Sequence, residues 1–256
     1  MLSVDISSLQ TAALRTRDIL ALRATLSPDE VAKADRHRRP QDQVLSIAAR
    51  GLLRQSLSRH FDTPPEAWRF CVDAFGKPQL SPAHGDFSVS FSVSHTDGLV
   101  VCAISRIGPI GIDAEAIEDP LAAGRADEPG ARSWTAREAI AKALGRGLQL
   151  PFERIQRVAA DEYQVDLSGL DLAEWRVRWR VVHPALSPQH QIAVAVPWLQ
   201  DDPDIAYRGM TAEFDCSRAR VSAIENCVVV NGTSVFTGGR QAEVGRCTGK
   251  PRIDRR

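Results

Sequence analysis

Phe87-Ser88-Val89-Ser90-Phe91-Ser92-Val93-Ser94 alternates apolar and hydroxyl side chains without a break, the period-two signature of a strand with one buried face. His95-Thr96-Asp97-Gly98 then reads as a turn, and Leu99 to Ile104 as an apolar return strand, so the stretch is a hairpin. Ile107-Gly108-Pro109 punctuates it, and Ile110-Gly111-Ile112-Asp113 opens a further strand.

Upstream, Asp18 to about Arg59 reads as helical. Ser27, Pro28, Asp29 and Glu30 supply an N-cap, a proline in the first turn and acids facing the positive end of the helix dipole. A second helix from about Asp42 carries Val44, Leu45, Ala48, Leu52, Leu53 and Leu57 on one apolar stripe. Arg36-His37-Arg38-Arg39-Pro40 between them reads as a charged helix end. Downstream come a polar linker from about Glu118 to Arg132, a helix from Trp134 to about Leu144, and strands at Trp175 to Val182 and Ile192 to Val196. The order predicts an α+β fold of two halves with similar plans, 1–106 and 107–200. From Asp201 the pattern decays, and 201–256 is expected to be an irregular or disordered tail.

Thirty-two Lys plus Arg balance thirty-two Asp plus Glu, so no net field draws the chain toward nucleic acid or an anionic membrane. Any basic site must be local. No cationic leader and no segment of about 18 apolar residues is visible, so a soluble, cytoplasmic protein is expected. Cys71, Cys102, Cys216, Cys227 and Cys247 are an odd set without a C-x-x-C pair, which argues against a disulfide framework and a structural zinc site.

Asp113 and Glu115 stand two apart at a strand end, so both carboxylates project to one side. Alone, the pair also fits an ordinary strand end meeting solvent. Glu138 and Lys142 lie one turn apart on one helix face, a spacing that equally serves a surface ion pair of about 0.3–0.5 kcal/mol. Together the three acids form a set of hard oxygen donors suited to Mg²⁺ shared with phosphate oxygens. Lys77 in Phe75-Gly76-Lys77-Pro78, and Ser94 with His95 at a strand end, are candidates for phosphate contact. Each also fits a solvated turn or a locally satisfied histidine.

In order and local spacing these motifs resemble the signature of the Sfp-type 4′-phosphopantetheinyl transferases of the holo-acyl-carrier-protein synthase superfamily. They are Phe75-Gly76-Lys77-Pro78, then Phe91-Ser92-Val93-Ser94-His95-Thr96, then Gly111-Ile112-Asp113-Ala114-Glu115. The last and longest runs from Trp134-Thr135-Ala136-Arg137-Glu138 through Lys142 to Gly145, followed by Gly147-Leu148. The similarity covers roughly residues 25–198.

The resemblance implies a pseudodimer of two α+β halves with the active site in the cleft between them. It implies transfer of the 4′-phosphopantetheine arm of coenzyme A, the co-substrate, to a serine of an apo acyl or peptidyl carrier protein, with release of 3′,5′-ADP. By position, Asp113, Glu115 and Glu138 hold Mg²⁺ or Mn²⁺, and Glu138 also takes the serine proton. Lys142 neutralises the leaving group, while Lys77, Ser94, His95 and Asp113 contact coenzyme A. A monomer is implied, without nucleic-acid or membrane partners.

Three departures stand out. The stretch between Glu115 and Trp134 is shorter than is usual in the family, Arg137 replaces a frequent Lys, and the family's basic residue for the 3′-phosphate falls near the uncharged Gln43 to Leu45. Arg50, Arg36 or Arg38 is expected to replace it. A non-catalytic coenzyme A or carrier-binding relative is the alternative; it gives no reason for keeping Asp113, Glu115, Glu138 and Lys142 together. A metal-dependent nuclease would explain neither Phe75-Gly76-Lys77-Pro78 nor Ser94-His95.

Overall fold

A computed structural model describes residues 3–85, 87–117, 130–172, 177–198, 206–215 and 220–229. The chain begins with β1 (Ser3–Gln10), followed by α1 (Thr16–Ala24), α2 (Pro28–Asp35) and α3 (Pro40–His60). The expected helical region is thus cut where Ser27-Pro28 and Arg39-Pro40 fit a helix start but not its interior. A small hairpin of β2 (Phe70–Val72) and β3 (Pro78–Leu80) precedes β4 (Ser90–Thr96) and β5 (Leu99–Ser105). The next elements are β6 (Gly111–Ala116), α4 (Ala131–Ala143), β7 (Ile155–Arg157), β8 (Glu162–Val165), β9 (Arg178–Val182) and β10 (His190–Pro197). The last described elements are β11 (Ala206–Asp215) and β12 (Arg220–Val229).

One sheet has the order β12-β11-β1-β5-β4 and the other β6-β10-β9-β8-β7. In each, a first strand leads into helix and then into a hairpin whose second strand pairs back with it: β1-β5-β4 in one, β6-β10-β9 in the other. The sheets adjoin at β4 and β6, where the Ile112 N–H donates to Ser92 Oγ at 3.1 Å.

The alternation of β5 explains the layers. Val100, Cys102 and Ile104 join Leu22, Leu52, Leu53 and Leu57 in a core under the helices, whereas Leu99, Val101 and Ala103 pack against Ile112, Ile192, Val194 and Val196 of the other sheet. A strand covered on both faces must be apolar throughout, which is why no alternation is visible from Leu99 to Ile104. On the far side of the second sheet, α4 packs Ala136, Ala139, Ile140 and Ala143 against Ala193, Ala195, Val181 and Trp179. The result is four layers: α1–α3, sheet, sheet, α4.

Small residues bring α4 close. Gly111 pairs with Ala195 and Asp113 with Ala193, so Gly111, Asp113 and Glu115 share the face of β6 that looks at α4. A Cβ at Gly111 would lie 1.8 Å from the Ala139 carbonyl oxygen and 2.7 Å from the Ala143 nitrogen. Helix backbone therefore rests directly on the strand.

Several boundaries differ from the sequence reading. The strand expected from Phe87 begins only at Ser90, because Phe87 packs edge-on against Phe61 at 4.8 Å and Trp68 at 5.9 Å, and aromatic packing overrides the alternation. His95 and Thr96 belong to β4, pairing with Val100 and Leu99, and the turn is only Asp97-Gly98, with Gly98 at φ 75°. The irregular tail expected from 201 is corrected for 206–215 and 220–229, which form a hairpin whose first strand runs parallel to β1 from Ser3↔Ala206 to Ser8↔Thr211. Backbone pairing along an otherwise open sheet edge offsets the weak side-chain pattern there. The linker at 118–129 and the start of the expected strand at 175–176 lie outside the described residues. Among the described residues, no helix is long and apolar enough to cross a membrane.

Gly111→Ala is expected to destabilise the protein by about 3 kcal/mol or more through overpacking, a fall in Tm of roughly 6–12 °C by calorimetry. An unchanged Tm would mean that α4 does not rest on this strand.

Candidate functional site

Asp113 is 2% exposed, a burial that a carboxylate tolerates only with partners. Its Oδ1 accepts from Ser94 Oγ at 2.9 Å and from Lys142 Nζ at 2.5 Å, and Lys142 Nζ donates to Ser94 Oγ at 3.0 Å. Three elements supply this triangle: β4 gives Ser94, β6 gives Asp113 and α4 gives Lys142. Asp113 Oδ2 is buried and has no hydrogen-bond partner among the described residues. An orphaned, inward-facing carboxylate oxygen is the feature a cation would satisfy.

Glu138 stands one turn before Lys142, its Oε2 3.8 Å from Lys142 Nζ. Burial, then the charge of Asp113, raises the pKa of both Glu138 and Glu115 above the ordinary carboxylate range; Lys142 opposes this at each, and Glu115 adds to it at Glu138. The Trp134 indole lies within reach of both glutamates and slightly opposes the rise at each. An indole has one N–H, so two carboxylates within its reach lie close to one another. Trp134, Glu138 and Lys142 recur every four residues and form one stripe on α4.

The charges of the three acids act on one another. They do not form a ready-made cage: among the described residues, no group of three His, Cys, Asp or Glu side chains is arranged to enclose a metal ion. That shape still suits Mg²⁺, which takes one or two carboxylates and completes its shell with water and substrate phosphate. The orphaned Asp113 oxygen and the mutual repulsion of hard oxygen donors fit such an ion.

Beyond Lys142 opens a cavity of about 720 Å³. Its walls carry Lys33, His37, Arg50, Lys77, His95 and Lys142 against the acids Asp29 and Glu30, a net excess of basic groups, with Val72, Phe75 and Pro78 as apolar surface. A cavity of this size and polarity accommodates an anionic cofactor-sized molecule. His95 is exposed at the cavity wall, and its pKa is lowered from the ordinary imidazole range by partial desolvation and then by the charges of Lys142 and His37. Arg50 Nε lies 3.9 Å from Glu30 Oε1, whose other oxygen pairs with Arg54 at 2.7 Å.

Lys77 sits in a turn organised by Asp73, whose Oδ1 accepts from the Phe75 and Lys77 N–H groups while Gly76 takes φ 83°. Lys77 Nζ donates to the Ala143 carbonyl at 3.2 Å and to the Ile110 carbonyl at 3.4 Å. Its ammonium therefore joins the end of α4 to the start of β6 as well as lining the cavity.

Arg36 is a correction. It is exposed, its Nε donates to the Ala32 carbonyl at 3.3 Å, and it does not line the cavity. Lys33 stands in the last turn of α2 and His37 just beyond its end, and both line the cavity while remaining exposed. Lys33, His37 and the bridging role of Trp134 were not singled out from sequence; the four-residue spacings, Lys33 to His37 and Trp134 to Glu138, were the available signals.

Residues 15–106 match the family described as 4′-phosphopantetheinyl transferase, N-terminal. Among curated proteins, the chain is 32% identical over 148 residues to the 4′-phosphopantetheinyl transferase HetI of Nostoc, covering 50% of this chain and 62% of that one. It is 31% identical over 130 residues to the 4′-phosphopantetheinyl transferase gsp of Aneurinibacillus migulanus, covering 43% and 52%. With the 4′-phosphopantetheinyl transferase Sfp of Bacillus subtilis the identity is 27% over 150 residues, covering 50% and 64%. The matched region spans between about half and two thirds of each of these relatives.

The raised carboxylate pKa values carry a stability consequence. Where the folded state binds the proton more tightly than the unfolded chain, ionisation weakens the fold, and stability falls as pH rises through the window between the two values. Glu138→Gln should therefore have a higher Tm than the parent at pH 8, with the gap closing below about pH 4, where both states are protonated. A variant less stable than the parent at pH 8 would show that Glu138 is stabilised, not strained, by its surroundings.

Proposed function

We propose that this chain, a relative of the Sfp-type 4′-phosphopantetheinyl transferases, moves the phosphopantetheine arm of coenzyme A onto a serine hydroxyl of an acyl or peptidyl carrier protein. The observation that carries this reading is the junction of two unlike surfaces at Lys142: a basic cavity on one side, and Asp113, Glu115 and Glu138 on the other. An anionic nucleotide and a proton-accepting acid are thereby offered to one another. The shared order of β1-β5-β4 and β6-β10-β9 supports a pseudodimer, with the reaction in the cleft where β4 meets β6. A monomer is the state this reading takes.

Lys33, His37 and Arg50 form the far basic wall and bind the phosphorylated ribose end of coenzyme A; they replace the basic residue missing near Gln43 to Leu45. Lys77 and His95 line the path from there to Lys142. Asp113, Glu115 and Glu138 would hold the divalent ion, Mg²⁺ or Mn²⁺, which neutralises the diphosphate when bound.

The serine oxygen forms a bond to the phosphorus that bears the pantetheine arm. The bond from that phosphorus to the oxygen of the nucleotide phosphate breaks, and 3′,5′-ADP departs with the electron pair. Glu138 accepts the serine proton, a task suited to a carboxylate whose affinity for protons is already raised. Lys142, anchored to Asp113 and Ser94, places positive charge beside the departing phosphate. The residual work is positioning, the usual situation in phosphoryl transfer.

Incubation with an apo carrier protein, coenzyme A and Mg²⁺ should add one phosphopantetheine arm, read by intact-mass spectrometry. EDTA should stop the addition, and Glu138→Gln and Asp113→Ala should each slow it by about 10² or more. Tight coenzyme A binding with no mass added under any condition would identify a binding relative instead.

A further inference from the structure

Phe75 and Arg146 come from distant parts of the chain and meet at the edge of the basic cavity. Phe75 stands in the turn between β2 and β3, and Arg146 just beyond the end of α4. The Arg146 guanidinium carbon lies 4.1 Å from the centroid of the Phe75 ring, a close cation–π stack. Phe75 lines the cavity and is also 41% exposed, which puts its ring at the rim. Gly145 and Gly147, on either side of Arg146, line the same cavity, whereas Arg146 itself is not in the wall. Its guanidinium therefore covers the ring from outside and joins the turn after α4 to the turn of the small hairpin.

Both turns are pinned through their backbones. Asp73 Oδ1 accepts from the Phe75 N–H at 2.9 Å, the Arg146 N–H donates to the Ala141 carbonyl at 3.0 Å, and the Arg146 carbonyl accepts from the Gln149 N–H at 3.1 Å. The turns also touch: a Cβ at Gly145 would lie 3.2 Å from Asp73 Oδ2, and Gly145 takes φ 72°, which a side chain would strain. The Arg146 side chain is held lightly by comparison. Among the described residues it forms no ion pair, and its Nη2 reaches the Asp171 carbonyl only at 3.4 Å. Opening the stack thus costs little beyond the cation–π contact and leaves both turns in place.

We propose that Arg146 and Phe75 form a clasp at the rim of the cavity that sets how fast a phosphorylated adenosine ligand, coenzyme A entering or 3′,5′-ADP leaving, exchanges with solvent. This rests on reading the cavity as the coenzyme A site. Arg146 acts through Phe75 as a positioning residue, and the ligand passes while the stack is open. The closed population then slows entry and exit by the same factor and leaves Kd nearly unchanged, whereas a group that touches the ligand changes mainly the rate of exit.

Stopped-flow fluorescence with coenzyme A labelled on its thiol reads the association rate and, on displacement by excess unlabelled coenzyme A, the dissociation rate. Salt of about 0.5 M screens the steering effect of a lost charge. Arg146→Gln should speed both rates roughly two- to fivefold, the range of a surface cation–π contact, with Kd unchanged. Phe75→Leu should also release faster, and the double variant should release no faster than Phe75→Leu alone, since one contact is broken only once. Parental rates in Arg146→Gln, single-variant effects that multiply in the double variant, or a rise in Kd carried by release alone overturns the clasp, as does a parent that binds no coenzyme A. Non-additive release in a protein that adds no mass to an apo carrier protein would keep the clasp and sink the transferase reading.

Discussion

Contact between helix and strand at Gly111 governs the geometry of the site. With no side chain there, the backbone of α4 at Ala139 and Ala143 lies against β6, and Ala193 and Ala195 of the neighbouring strand leave the same space open. Only at that separation can Lys142, one turn beyond Glu138, reach Asp113 at 2.5 Å while also donating to Ser94 on the adjoining sheet. A wider gap would leave the buried Asp113 without its cationic partner and with Ser94 Oγ as its remaining donor, a state that costs several kcal/mol. Close packing and buried charge are thus one constraint: the apolar layers set the distance, and the distance makes the ionic cluster tolerable.

That cluster is held under electrostatic tension. Asp113 keeps one oxygen satisfied and one orphaned, while Glu115 and Glu138 have their charged forms disfavoured by burial and by Asp113. Such an arrangement is poor for stability and useful for chemistry, since a divalent ion gains from the repulsion it relieves and a base gains from a raised proton affinity. The basic cavity beyond Lys142 has the opposite sign. Regions of opposite charge therefore adjoin, and Lys142 marks the border between them.

Much of the site was legible because it follows short periodicities. Asp113 and Glu115 share a face by the strand period of two, and Trp134, Glu138 and Lys142 share one by the helical period; both faces were readable as sequence and meet in the fold. What was not legible depends on tertiary arrangement. Arg36 and His37 are adjacent in the same basic run, yet of the two only His37 lines the cavity, while Arg36 turns back to the Ala32 carbonyl. Lys77 was read as a phosphate contact, and no local pattern could show that its ammonium also spans the ends of α4 and β6. Similarly, the alternation from Phe87 to Val89 looked like strand, but Phe61 and Trp68 capture Phe87 from a distant part of the chain. The pairing of β11 with β1 joins segments about two hundred residues apart, beyond the reach of any local signal.

The account stands on three carboxylates that converge on one divalent ion shared with a diphosphate. Electron paramagnetic resonance of Mn²⁺ titrated into the protein, with and without coenzyme A, tests this most directly. One site is predicted, tightened by roughly tenfold when coenzyme A is present and weakened in Asp113→Asn, as expected for ligands that bind to one another as well as to the protein. Mn²⁺ binding that is indifferent both to coenzyme A and to Asp113→Asn would contradict it.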